Sequence, residues 1–294
     1  MPELSAGGPN DVAAGLLAML LAAALALLAA GYGRGVHELW ARRGAGRVLP
    51  GWRVAAFGAG LLCVLAAQDG PLAAAAQRSF AGHMTQHMLL LLGAGPLLAA
   101  GAAGLPLTLA CPPAARRWLA RLRVAGPVRR LRRPAVLALT AGGAHAAVLW
   151  FWHLPAPYLA AERQPVVHAV EHLCFLGSAW LLWAPLLGAR RHRLPVPAGI
   201  LLLIGTMLPA SALGAVLTFA PHPVYPPAVL GPDPLADQQL AGLLMWAPMD
   251  VAVLAATLTA FLRWLVGLQR QRPERVTSPE SRGPLPAPTG RVVP

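Results

Sequence analysis

Residues 83–103 read HMTQHMLLLLGAGPLLAAGAA. The stretch holds no Asp, Glu, Lys or Arg, and it is as long as the roughly 20 helical residues that cross about 30 Å of hydrocarbon. Its first turn puts His83 and His87 at i and i+4, neighbours on one helix face. One segment thus predicts a membrane span with polar chemistry at one end.

Working outward, apolar runs recur at about 12–31, 52–68, 134–153, 168–187, 197–220 and 238–267. Hydrophobic residues make up 56% of the 294 and charged residues 12%, where a soluble domain has roughly 25% charged. Together the seven runs predict an all-α polytopic membrane protein, a seven-transmembrane-helix bundle over residues 1–267. Residues 268–294, rich in Pro and Arg, are expected to form a disordered basic cytoplasmic tail. Glu3 and Asp11 precede the first run and Arg residues follow it, the reverse of a signal peptide, so a retained helix is expected.

A formal net charge of +13 in a soluble protein would point to nucleic acid. Here every basic residue other than His is Arg, and 22 of the 24 fall after the first, third, fifth and seventh runs. Arg78 and Arg163 alone fall on the other side. Cytoplasmic loops collect such charge, so the lipid bilayer is the expected partner, nucleic acid is not, and the N-terminus lies outside with the C-terminus cytoplasmic. Residues 114–125 read as an amphipathic helix on the inner leaflet or as a solvated basic loop. Cys63, Cys111 and Cys174 form no CxxC and predict neither a disulfide framework nor a redox motif.

The histidines are the informative polar residues. His168 and His172 open the fifth run with the i, i+4 spacing of His83 and His87. Both runs proceed from outside to inside, so both pairs start at one depth. Packed side by side, they would place four imidazoles around one volume below the outer surface. This predicts a metal site of His83, His87, His168 and His172, with His153 at the end of the fourth run as a fifth member. The competing reading is a set of interfacial histidines, each with its own hydrogen bond, and it is preferred for His145 and His222.

Imidazole suits copper, zinc and iron, whereas thioethers favour Cu(I). Met84 and Met88 flank the first pair, and Met245 and Met249 sit one turn apart in the last run, which tilts the expectation towards copper. Asp250, deep in the last run, reads equally as an ion relay or as a helix–helix hydrogen bond. His168 to His172 also matches HxxEH, a zinc-peptidase pattern with Glu171 as base, but three fixed positions arise easily by chance.

From about residue 75 to 267 the chain resembles the CtaG-type cytochrome c oxidase assembly proteins, seven-helix proteins of the bacterial plasma membrane. The resemblance rests on ordered blocks: His83 to His87 with the run behind it, Trp152-His153-Leu154-Pro155, and His168 to His172 with Trp183-Ala184-Pro185. Leu213 to Phe219 with Tyr225-Pro226, and Asp237 to Trp246 with Pro248, complete the set. Met249-Asp250 departs from the family pattern, which has a Gly after that proline. The resemblance implies an assembly factor, not an enzyme, that acts with cytochrome c oxidase subunits and binds or delivers copper. A b-type membrane cytochrome and a metal transporter remain the alternatives, the first because His on two helices can ligate haem. The second would use Asp250 and His145 as its path.

The division of the arginines makes a prediction of its own. Reporter fusions at Arg275 and Ala161 should report opposite sides of the membrane, and matching signals would mean a miscounted span.

Overall fold

The computed structural model describes residues 9–189 and 193–271, and among them every regular element is helical. Long helices α1 (Pro9–Arg43) and α2 (Gly51–Gln68) lead to the short α3 (Pro71–Ala76). The third span follows as α4 (Phe80–Met88), a π-helical stretch Leu89–Ala94, α5 (Gly95–Ala100) and α6 (Gly104–Ala110). Next come α7 (Pro113–Val124), α8 (Gly126–Leu131), α9 (Pro134–Trp152), α10 (Pro155–Arg163) and α11 (Pro165–Leu187). The last two are α12 (Val196–Phe219) and α13 (Pro234–Gln271). Six helices are long and apolar enough to cross a membrane, and the bent α4–α6 segment makes seven. The chain is an all-α polytopic membrane protein.

Two elements differ from the sequence expectation. The first helix continues to Arg43 because Tyr32, Val36 and Leu39 are buried against Phe57 and the apolar side of α6. Arg34, His37, Arg42 and Arg43 therefore stand on a helix rather than in a loop. The third span is broken by a 65° bend between Ala100 and Gly104, where Ala102 takes a positive φ of 49°. Pro96 lacks a backbone N–H, and the wide π-turn immediately before it absorbs the missing ladder bond. Of residues 114–125, all but Ala125 are helical, as part of α7, and none of that helix's residues is buried in the bundle. α13 runs through Gln271, past the expected start of the tail, and residues 272–294 lie outside the described residues, as does His192.

Small residues let the helices approach closely, the usual device where lipid removes the hydrophobic drive for helix association. A Cβ on Gly95 would meet the Ala179 Cβ at 2.6 Å, so α5 lies directly on α11. At the α12–α13 crossing, a Cβ on Gly214 would meet Trp246 at 2.7 Å. Arg53, buried in the first turn of α2, donates to the Ala100 carbonyl at 2.6 Å and to the Gly188 carbonyl at 3.2 Å. Its charge thus sits where α5 and α11 end and their free carbonyls gather.

At the other end of the bundle, Asp237 fixes the start of α4. Its carboxylate accepts from the backbone N–H of Phe80 at 2.7 Å, of Ala81 at 3.1 Å and of Gly231 at 2.8 Å. The Ser79 side chain accepts from Gly82 N–H at 3.0 Å as the helix cap. Phe80, Tyr158 and Tyr225 pack ring against ring at this end, with centroids 4.6–5.2 Å apart. This end is consequently covered by aromatic residues, and α4 enters the bundle at a fixed height.

Replacing Asp237 with Ala strands helix-end N–H groups in a partly buried place. Thermal melting in detergent should show a loss of about 2 kcal/mol, and Asp237→Asn should lose less because it keeps one acceptor. An unchanged midpoint for Asp237→Ala would contradict the anchoring role.

Candidate metal centre

The amphipathic start of α4 turns His83, Gln86 and His87 into the bundle, and the start of α11 turns His168, Glu171 and His172 toward them. The pairs do meet. Ring centroids lie 4.4 Å apart for His83–His87, 5.3 Å for His83–His168, 4.2 Å for His168–His172 and 5.3 Å for His87–His172. Ligand-type atoms of His83, His87, His168 and Glu171 all lie within 4.8 Å of one another. His83, His87 and Glu171 are buried, and His168 is partly so.

Partners outside the group fix one nitrogen of His83 and one of His172. His83 Nδ1 lies 2.8 Å from a Glu162 carboxylate oxygen, so it donates there and its Nε2 faces the interior. Glu162 comes from α10. Burial would raise its carboxyl pKa, but the hydrogen bond and charge of His83 outweigh that and hold it below the ordinary value. His172 accepts from the Gln68 amide through Nδ1 at 2.8 Å, which leaves its Nε2 as the N–H. Gln86 donates to the Ala67 carbonyl and ties α4 to α2.

What remains is a concentration of buried polar atoms without hydrogen-bond partners: His83 Nε2, both nitrogens of His87, His168 Nε2, His172 Nε2 and both oxygens of Glu171. Each such atom costs about 1–3 kcal/mol when buried, and native proteins bury few of them. Glu171 Oε2 stands 3.7 Å from His83 Nε2 and from His87 Nε2, too far for a hydrogen bond. A buried carboxyl group and imidazole nitrogens that face one another too far apart to bond suit a cation between them, so the donor set fits a metal ion. A cavity of about 710 Å³ between α1, α2 and α11 reaches His83, His168 and His172, with Leu17, Leu21 and Val64 on its apolar side.

The sequence-derived set is thus placed as follows. His83, His87 and His168 come together; His172 lies beside them, turned to Gln68. His153 is buried 6.3 Å from the His87 ring, with Nδ1 donating to the Leu149 carbonyl and Nε2 at the Met84 sulfur. His145 and His222 stand apart, the first buried and bonded to Ser178 at 3.2 Å, the second exposed. Asp250 accepts from Ser211 at 2.7 Å, a contact between α13 and α12.

Sequence reasoning missed Glu171 as a member of the group, having placed it only in the HxxEH pattern. Its signal was a carboxylate at i+3 from His168 on the same apolar helix. Glu162 and Gln68 gave no such signal, because their roles depend on how α10 and α2 pack.

No curated protein and no solved structure matches the chain. The model of the cytochrome c oxidase caa3 assembly factor family matches residues 30–266, extending upstream of the blocks seen in the sequence to take in the second span. The chain belongs to the family of cytochrome c oxidase caa3 assembly factors.

Proposed function

We propose that this assembly factor acts by holding a copper ion as cargo and handing it to an oxidase subunit at the membrane. The observation that carries this reading is the group of His83, His87, His168 and Glu171, whose ligand atoms converge within 4.8 Å and have no other polar use. Three imidazoles and one carboxylate suit Cu, Zn or Fe by ligand type, and the family's oxidase partner favours copper among them. Glu162 orients His83 in the manner of the outer carboxylates that hold metal-binding histidines. The 710 Å³ cavity brings open space to His83, His168 and His172 from between α1, α2 and α11.

The packing also weighs against the haem alternative. Axial histidines need a slot one macrocycle wide between them, whereas these rings pack against each other at 4.2–5.3 Å. As for HxxEH chemistry, that pattern uses both of its histidines as ligands, and here His172 is turned to Gln68.

The test is the metal content of the purified protein. Wild type loaded with copper and desalted should retain about one equivalent and should melt higher than the metal-free protein, because a ligand that binds only the folded state stabilises it. His87→Ala and Glu171→Gln should reach the membrane in normal amounts, retain much less copper and show no upward shift. Wild type with no retained metal, or variants that retain as much, would overturn the reading.

A further inference from the structure

We infer that Met84 and His153 form a second, softer metal site next to the first, one that takes Cu(I). This rests on the metal-handling reading above and deepens it, since it specifies an oxidation state and a second station for the cargo.

His153 and Met84 make a contact that ordinary packing does not account for. His153 Nδ1 lies 2.7 Å from the Leu149 carbonyl oxygen. A carbonyl has no proton to give, so Nδ1 carries the N–H and the neutral ring presents its lone pair at Nε2. That nitrogen lies 3.3 Å from the Met84 sulfur, itself only an acceptor. Two lone-pair donors therefore face each other, His153 being 6% exposed and Met84 fully buried.

One cation resolves the contact. Metal–nitrogen and metal–sulfur bonds run about 2.0 and 2.3 Å, so two donors 3.3 Å apart are within reach of a single ion at an angle near tetrahedral. A thioether with an imidazole is a soft pair that selects Cu(I) over harder divalent ions. The site is also held in place. The Tyr225 hydroxyl donates to the His153 backbone carbonyl at 2.7 Å, the Leu149 bond fixes the ring, and Met84 is one residue from His83 on α4.

His87 lies beside both groups, its ring 4.4 Å from that of His83 and 6.3 Å from that of His153. Neither of its nitrogens has another partner. An ion can thus pass between a harder His/Glu site and a softer Met/His site across one imidazole. A single cluster of histidines would not offer this.

The experiment uses the full-length protein in detergent under anaerobic, reducing conditions. Cu(I) affinity is read by competition with bicinchoninate, and Co(II) binding is read by its visible spectrum as a report on the His/Glu group. Met84→Leu conserves volume, and His153→Asn keeps a donor for the Leu149 carbonyl while removing Nε2. Both variants should lose about 10-fold or more in Cu(I) affinity, by the scale of ligand-environment changes, with Co(II) binding unchanged. X-ray absorption of the Cu(I) form should show a sulfur neighbour in wild type and none in Met84→Leu.

A wild-type spectrum with only nitrogen and oxygen neighbours would overturn the soft site. So would Cu(I) affinity unchanged in both variants, or variants that lose Co(II) in parallel. Wild type that binds neither ion would instead overturn the metal reading itself.

Discussion

Burying ionisable groups inside a membrane bundle is expensive, and the arrangement around α4 and α11 follows from where that expense is concentrated. Glu171 and the rings of His83, His87 and His172 are almost wholly removed from solvent. Such groups persist in a spanning helix only when they face protein and share partners. The partners observed are of two kinds. Glu162, Gln68 and the Leu149 carbonyl hold the outer nitrogens of His83, His172 and His153. The inner atoms face one another without bonding, and a shared cation is the simplest way to give them a common partner.

The rest of the bundle can be understood as what brings two helix starts to the same depth and keeps them there. Asp237 pins the first N–H groups of α4 from α13. Arg53 gathers the far ends of α5 and α11. Gly95 lets α5 settle on Ala179, so the third span and α11 stay in contact below the histidines. The π-turn after Met88 absorbs the missing N–H of Pro96 without disturbing the straight segment that carries His83 and His87.

Much of this was legible in the sequence, for physical reasons that can be named. Seven apolar runs gave the spans because a helix must be long and uncharged to cross lipid. The equal spacing of His83–His87 and His168–His172 gave a shared face and a shared depth, and those rings do converge. The bend at Ala102 was not legible, since the apolar run continues through it and Gly101, Gly104 and Pro106 are residues that straight membrane helices also tolerate. Nor could one sequence show that His172 is drawn aside by Gln68, or that Glu171 takes part. Both outcomes depend on the rotation of one helix against its neighbours, which hydrophobic spacing alone leaves open.

The central claim is that α4 and α11 together present three imidazoles and a carboxylate to one ion. Pulsed electron paramagnetic resonance on protein loaded with one equivalent of Cu(II) counts those ligands directly. Expected is a single copper environment coupled to the remote nitrogens of three imidazoles, reduced to two in His168→Ala. A spectrum showing one imidazole or none, or two unrelated copper environments of equal weight, would contradict the shared centre.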